Sequence, residues 1–149
     1  MRAVRMMAAA VLAMLAAACA TVPMAAPAED AAAKQFTAPP AGQAALYVYR
    51  EGGVGGAVPF AVSIGQRQLG QLAPMTYFRV DLPAGAHDVR CTGSDNSDAA
   101  LVALAPNETR FVELSVRLGV GMPRCSVKEA GTETARAAVG AGQRALDIR

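Results

Sequence analysis

This 149-residue chain has three cysteines and one histidine, the residue types best suited to covalent, redox or metal chemistry. They are Cys19, Cys91, Cys125 and His87. Cys91 and Cys125 could form a disulfide, act as a redox pair, or bind zinc together with His87. A redox pair typically has Cys-x-x-Cys spacing or a neighbouring helix N-terminus, and structural zinc needs four ligands. The sequence offers neither arrangement, so a disulfide between Cys91 and Cys125 is the favoured interpretation.

Hydrolytic and calcium-binding chemistry are weaker interpretations. His87 could join a serine and an aspartate, but the chain has no Gly-x-Ser-x-Gly motif. We expect His87 to cap a sheet edge instead. Asp95, Asn96 and Asp98 are calcium-ligand types without the spacing or the final glutamate of an EF-hand, which favours a solvated loop. We therefore expect no catalytic residue, no metal and no cofactor.

The first 18 residues have the pattern of an export signal. Arg2 and Arg5 precede an uncharged apolar run over residues 6–15, and small residues follow at 16–18. A positive start, a short apolar stretch and a small-residue cleavage site are typical of a secretory signal peptide. The apolar run is shorter than the roughly 20 residues that a membrane-spanning helix needs.

Cys19 directly follows Ala16-Ala17-Ala18, which resembles the lipobox of bacterial lipoproteins. That resemblance implies a diacylglyceryl group on the Cys19 thiol and cleavage just before it. The position three before the cysteine is usually leucine and is Ala16 here. Because Ala16 and Ala18 also satisfy the Ala-x-Ala rule, ordinary cleavage with release into the periplasm stays open.

The net charge gives no evidence for binding of nucleic acid or anionic lipid, and we expect no nucleic-acid partner. The 14 Lys and Arg include Arg2 and Arg5 of the signal, so the remaining cations balance the 12 Asp and Glu. A formally neutral mature chain lacks the basic character of a nucleic-acid partner. If Cys19 carries lipid, the other two cysteines form an even set, as expected of a disulfide in an oxidising compartment.

The remaining chain divides into a tether and a domain. Residues 19–43 are rich in Ala and Pro and have few large apolar side chains. Such a segment buries too little apolar surface to fold alone. These residues include one short predicted helix over residues 28–36. We expect its last residue, Phe36, to pack against the domain. From residue 44 to 149 the pattern alternates with a period of two, which indicates strands. The predicted strands cover residues 44–50, 59–64, 67–72, 77–82, 86–91, 100–104, 110–118 and 122–129.

Short strands at this spacing predict a mainly β fold, a small antiparallel β-sandwich of about seven or eight strands. A short C-terminal helix would follow from Gly131. We expect Val112, Leu114, Val116 and Leu118 to point into the core. The alanines of the C-terminal helix, Val139 and Leu146 would lie on the sheet.

One face of the predicted sheet combines aromatic and arginine side chains. If exposed, such a face would suit binding of a protein or glycan. The alternative, which we favour, is that the tether helix or the C-terminal helix covers it. The residues of this candidate binding face are Tyr47, Tyr49, Tyr77, Arg79, Phe111 and Arg117.

The order of several segments resembles a family of small Gram-negative envelope proteins, domain of unknown function 2846. The resemblance is carried by Cys19-Ala-Thr-Val-Pro-Met24, Asp30-Ala-Ala-Ala-Lys-Gln-Phe36, Leu46-Tyr-Val-Tyr-Arg50, Ile64-Gly-Gln-Arg-Gln-Leu-Gly70, Tyr77-Phe78 and Leu82-Pro-Ala-Gly-Ala-His87. It covers nearly the whole mature chain. It implies a lipoprotein with a compact sandwich related to prealbumin-like and PEGA-type modules, and no known catalytic residues.

These features predict a non-catalytic envelope lipoprotein that acts as a binding or structural module. Its partners would be the membrane, through the lipid on Cys19, and an envelope protein or glycan. Because Ala20 is not an aspartate, the usual sorting rule of such lipoproteins implies the outer membrane. The alternatives are a soluble periplasmic binding domain and a thiol-dependent redox or enzymatic protein. The sequence does not indicate an oligomeric state.

Overall fold

The computed structural model describes residues 22–53 and 56–148, so the predicted signal and Cys19 lie outside the described residues. Within these ranges the chain forms two helices and nine strands. The helices are α1 (Pro27–Ala33) and α2 (Thr132–Ala141). The strands are β1 (Gln43–Arg50), β2 (Phe60–Ile64), β3 (Arg67–Leu72), β4 (Thr76–Pro83), β5 (Gly85–Thr92), β6 (Ser97–Leu104), β7 (Thr109–Leu118), β8 (Pro123–Glu129) and β9 (Gln143–Arg144).

The strands form two sheets, which confirms the predicted β-sandwich. The five-stranded sheet has the order β8-β7-β1-β4-β9, and the four-stranded sheet has the order β3-β2-β5-β6. Most neighbours are antiparallel, but β1 pairs with β7 and β4 with β9 in parallel. β1 is therefore the middle strand of the larger sheet, with a hydrogen-bonded neighbour on each side.

The main core lies between the two sheets. Strand side chains alternate between faces, and Leu46 and Val48 of β1 point toward the four-stranded sheet. These two residues are fully buried in one apolar cluster with Val62, Leu72, Phe78, Val89 and Val102. The other face of the five-stranded sheet is also buried, because α1 and α2 pack on it around Tyr47, Tyr77 and Phe111. The fold therefore has three layers.

The side chains of Asn96, just before β6, and Asp98, near its start, join the two sheets. The Asn96 side chain donates to the carbonyl oxygen of Cys125 at 2.8 Å and accepts from the Cys125 N–H at 3.1 Å. The Asp98 carboxylate accepts from the Ser126 hydroxyl at 2.8 Å and from the Val127 N–H at 3.0 Å. The prediction of a solvated loop over these residues is wrong for Asn96 and Asp98, because their side chains bond to backbone groups and to the Ser126 hydroxyl of β8.

The segment predicted as a tether is packed on the domain from Val22 onward. Val22 is 5% exposed and belongs to the main core. Met24 forms a β-bridge with Ala145, and the Ala25 N–H donates to the carbonyl of Arg144 at 3.0 Å. The tether prediction is wrong for this part, because two apolar side chains and strand-type hydrogen bonds outweigh its Ala/Pro-rich composition.

Helix α1 forms where the sequence predicted a helix. It begins at Pro27, a residue suited to the first turn since its missing N–H needs no partner there. The Glu29 carboxylate accepts from the Ala26 N–H at 3.2 Å, and Lys34 pairs with Asp30 at 2.8 Å. Phe36 follows the helix and packs against the buried cluster that contains Tyr47 and Phe111. The prediction that Phe36 docks the helix on the domain is confirmed.

Two predicted inward residues point outward. Leu118 is 79% exposed because β7 extends beyond the core into the β7–β8 hairpin. Leu146 is 50% exposed because α2 ends at Ala141 and the chain continues as an extended segment. Val139 of α2, in contrast, is fully buried against the sheet as predicted. Among the described helices, neither is long and apolar enough to cross a membrane.

Candidate functional site

The candidate aromatic binding face is a buried layer. The register places Tyr47 beside Arg79 and Phe111, and Tyr49 beside Tyr77, so these residues share one sheet face as predicted. The four aromatic residues are at most 2% exposed. The prediction of an exposed binding face is therefore wrong for them, and the favoured alternative of a face covered by the helices describes the structure.

Ring packing explains why this layer closes. The Phe36 ring lies 5.4 Å from that of Tyr47 and 6.1 Å from that of Phe111. The Tyr47 and Phe111 rings are stacked with centroids 5.2 Å apart. Offset and edge contacts at these distances stabilise aromatic pairs beyond the burial of their area. One aromatic residue after α1 thus seals the layer from the side opposite the core.

The buried hydroxyls of the layer bond to α1. The Tyr47 hydroxyl donates to the Ala33 carbonyl at 2.7 Å, and the Tyr77 hydroxyl donates to the Asp30 carboxylate at 2.7 Å. The same carboxylate accepts from the Arg144 N–H at 2.8 Å. Asp30 therefore connects α1, β4 and β9, a role that its place in a predicted helix start did not reveal.

These contacts shift the acid strengths of the groups involved. Burial raises the pKa of Tyr77, and the hydrogen bond to Asp30 raises it further. Burial also raises the pKa of Tyr47. For Asp30, burial acts to raise the pKa, but hydrogen bonds from Lys34, Tyr77 and Arg144 outweigh it and hold the pKa below the usual value. The layer thus holds a charged carboxylate beside neutral phenols.

Tyr49 differs from the other two tyrosines because its buried hydroxyl has no hydrogen-bond partner among the described residues. Burial raises the pKa of Tyr49 to about 12, with contributions from Glu113 and Glu51. An unpartnered buried hydroxyl costs free energy rather than supplying it. Tyr49 therefore stabilises the layer through its ring alone.

The two arginines of the candidate face lie in different environments. Arg79 is half-buried, lies 5.9 Å from the Tyr47 ring centroid and pairs with Asp81 at 3.2 Å. Arg117 is exposed near the end of β7, opposite Arg124. Arg79 is thus part of the packed layer, whereas Arg117 belongs to a different surface at the hairpin.

Arg50 is a buried cation that the sequence analysis did not single out. It is 3% exposed and its guanidinium donates to the carbonyls of Val58, Gly56 and Leu72. It also lies 5.2 Å from the Phe60 ring centroid. Arg50 therefore holds the glycine-rich loop to the domain, and an arginine at the end of a strand of buried residues is the signal that could have found it.

Cys91 and Cys125 lie at disulfide distance. Their Cα atoms are 6.3 Å apart, within the range that a disulfide requires. Cys91 is on β5 of the four-stranded sheet and Cys125 is on β8 of the five-stranded sheet, so a bond would connect the sheets. The two residues are 0% and 3% exposed. Such burial suits a structural pair, because reactive cysteines need partial exposure.

His87 has a structural environment. Its Nε2 atom lies 2.8 Å from the Pro83 carbonyl, to which it donates across the turn between β4 and β5. It precedes Cys91 by four residues on the same strand, a separation of about 13 Å. His87 and the cysteine pair therefore do not converge. Among residues 22–53 and 56–148, no three His, Cys, Asp or Glu side chains form a group that could hold a metal.

Within residues 22–53 and 56–148, the most exposed apolar surface is the tip of the β7–β8 hairpin, residues 118–122. Leu118 is 79%, Val120 102% and Met122 43% exposed. The alternating pattern of β7 does not reveal this surface, because it predicts Leu118 in the core. The informative signal was Gly119 and Gly121 on either side of Val120, which mark a turn rather than a buried strand.

Comparisons with known proteins give one relative and no family. An uncharacterized protein of Haemophilus influenzae is 28% identical over 128 residues, which cover 86% of this chain and 76% of that protein. No family model and no solved structure matches the chain. The resemblance to domain of unknown function 2846 therefore stays a prediction, and the function is inferred from the residues and their geometry.

Proposed function

We propose that this chain is a non-catalytic lipoprotein of the bacterial envelope, anchored through lipidated Cys19 and carrying a β-sandwich that acts as a binding or structural module. The observation that carries the proposal is the pairing of the cysteines. Cys91 and Cys125 lie at disulfide distance inside the sandwich, which leaves Cys19 as the odd cysteine. In the bacterial lipoproteins that this N-terminus resembles, the lipid is attached to the cysteine directly after the export signal, which is the place of Cys19.

The packing of the N-terminal segment supports the same proposal. The described domain begins with Val22, the third residue after Cys19. Cleavage after residue 18 would therefore leave every core residue of the described ranges in the mature chain. The outer membrane is the expected site, and the bacterial relative is consistent with a bacterial envelope.

Intact mass spectrometry tests the proposal. The protein is purified from its own envelope without reductant, and fragments are assigned around each cysteine. We expect a chain that starts at an acylated Cys19 and is lighter by the two hydrogens of a Cys91–Cys125 disulfide. The matched control is Cys19→Ala, which should carry no lipid and should leave the membrane fraction. An unmodified wild-type N-terminus in the soluble fraction would contradict the proposal.

A soluble periplasmic domain is the second candidate, favoured by Ala16 and Ala18, which suit ordinary signal cleavage. It predicts that the wild-type protein and Cys19→Ala fractionate identically. A thiol-dependent function is disfavoured by the burial of both Cys91 and Cys125. It predicts rapid reaction of these thiols with a small alkylating reagent in the native protein, which the proposed structural disulfide would block.

A further inference from the structure

The N-terminal segment is fixed against the C-terminal segment. The Leu146 N–H donates to the Pro23 carbonyl at 2.9 Å, and the Ala25 N–H donates to the Arg144 carbonyl at 3.0 Å. Val22 is buried in the main core. The point at which the chain enters the domain is therefore fixed to one edge of the sandwich, beside β9.

The spacing between Cys19 and Val22 limits how far an anchor could lie from that edge. Only Ala20 and Thr21 intervene. At 3.3–3.6 Å per residue, three residue steps span at most about 11 Å. A lipid on Cys19 would place its glyceryl group among the lipid headgroups, so Val22 would lie within about 11 Å of those headgroups.

Two exposed apolar side chains lie on the segment that flanks this entry point. Leu146 is 50% and Ile148 is 62% exposed. The residues between and before them turn inward, since Ala145 is buried and Asp147 pairs with Arg67 at 2.8 Å. The Ile148 N–H donates to the Leu69 carbonyl at 2.8 Å, which fixes the segment on β3.

We propose that the anchor-side face, defined as Pro23, Met24, Leu146 and Ile148, lies on the bilayer surface, with Leu146 and Ile148 inserted among the lipids. This inference rests on the proposed lipidation of Cys19. The short spacer brings the face to the membrane, and the outward alternation of Leu146 and Ile148 presents apolar side chains there. A neighbouring acid, Asp147, is neutralised by Arg67, so its charge does not oppose contact with anionic lipid.

The hairpin tip provides a matched comparison surface. It joins β7 and β8, and β8 is the edge of the five-stranded sheet opposite β9. Four strand spacings separate these edges, a distance of about 19 Å. Val120 is fully exposed and apolar, so it resembles Ile148 in chemistry and differs from it in position. The proposal places Val120 away from the bilayer.

Tryptophan fluorescence tests this orientation directly, because the chain contains no tryptophan. The variants Leu146→Trp, Ile148→Trp and Val120→Trp are each purified in acylated form and reconstituted into phosphatidylcholine–phosphatidylglycerol vesicles that contain brominated acyl chains. For tryptophan at positions 146 and 148, we expect the emission maximum to shift to the blue when vesicles are added. We also expect weaker emission than in bromine-free vesicles. We expect emission at position 120 to match that of the same variant in bromine-free vesicles.

The outcomes separate the orientation from the anchor. Intact mass is measured first on each variant, and absence of the acyl group would overturn the proposed function itself. With the acyl group present, unquenched emission at 146 and 148 would overturn the orientation alone. A blue shift without quenching there would also overturn it, since a second copy or another protein would then cover the face. Quenching at 120 instead would assign the hairpin tip to the bilayer.

Discussion

The carboxylate of Asp30 accepts a hydrogen bond from the buried hydroxyl of Tyr77 at 2.7 Å, across 47 residues of sequence. This contact fixes α1 to β4, and the Arg144 N–H completes the connection by donating to the same oxygen. One acid in an Ala-rich segment therefore contributes two of the hydrogen bonds that hold the segment on the domain. The stability of this arrangement should depend on the charge of Asp30.

Replacement of Asp30 by asparagine should lower the free energy of unfolding by about 1–3 kcal/mol at neutral pH, because partly buried donors lose a charged acceptor. The folded-state pKa of Asp30 lies below its ordinary value of 3.8. Its contribution is therefore present above pH 3.8 and lost as the pH falls through the folded pKa. Urea denaturation at several pH values measures both effects.

The matched control for Asp30→Asn is Asp88→Asn. Asp88 pairs with Arg90 at 3.1 Å, with both side chains more than 40% exposed. Such a surface pair contributes about 0–1 kcal/mol, so little change is expected. Equal losses in the two variants, or an unchanged acid dependence in Asp30→Asn, would contradict the role assigned to Asp30.

Tyr47 and Tyr49 should respond in opposite ways to loss of the hydroxyl. Tyr47→Phe removes a 2.7 Å hydrogen bond to the Ala33 carbonyl and should cost about 0.5–1.5 kcal/mol. Tyr49→Phe removes a buried hydroxyl without a partner among the described residues and should be neutral or stabilising. Urea denaturation of both variants measures the difference, and a larger loss in Tyr49→Phe would show that its hydroxyl has a partner.

The three tyrosines of the chain should resist ionisation in the folded protein. Burial raises the pKa of Tyr47, Tyr49 and Tyr77 above the ordinary value of 10.0. Above pH 10.0 the unfolded chain loses phenol protons that the folded chain retains, so stability should fall as the pH rises. Tyrosinate absorbance and circular dichroism should therefore change together.

The control for this titration is the chain in guanidinium chloride, in which the three phenols should ionise near pH 10.0. If a phenol of the native chain titrated there while the circular dichroism stayed native, the aromatic layer would be open to solvent. That result would support the interpretation of an exposed binding face, which the burial of these rings contradicts.

Loss of the cysteine pair should weaken the contact between the sheets. The pair closes a loop of 34 residues, and the chain-entropy model assigns such a loop about 3–4 kcal/mol. Cys91→Ser combined with Cys125→Ser should lower the free energy of unfolding by that amount, measured in a Cys19→Ser background free of lipid. Reduction of the background protein should produce a similar loss. An unchanged midpoint under reductant would indicate that no disulfide forms.

The strands were predictable because alternation and turn residues act locally. The segment Arg67–Leu72 was predicted with its exact bounds, and β7 differs from its prediction by one residue. The parallel pairing of β1 with β7 was not predictable in this way. Alternation identifies the two faces of a strand, but the choice of neighbours depends on packing between distant segments.

The candidate site shows the same limit. The alternation of Tyr47, Tyr49 and Arg79 correctly predicted a shared face, but a pattern within strands does not show what covers them. Docking through Phe36 was predicted, but its contact with Phe111 and the contact of Asp30 with Tyr77 join segments far apart in sequence. Composition likewise hid the docking of Val22, since one buried side chain hardly changes an Ala-rich average.

The bonding of residues 23–25 to residues 144–146 also constrains when the protein can fold. Asp30 and the Arg144 N–H that it binds are separated by 114 residues. Contacts this distant in sequence slow folding, because the loop between them must close first. If the chain is exported from its N-terminus, as the proposed function requires, it cannot complete this edge until residue 146 has arrived, and until then Val22 and the aromatic layer lack contacts that bury them in the folded protein.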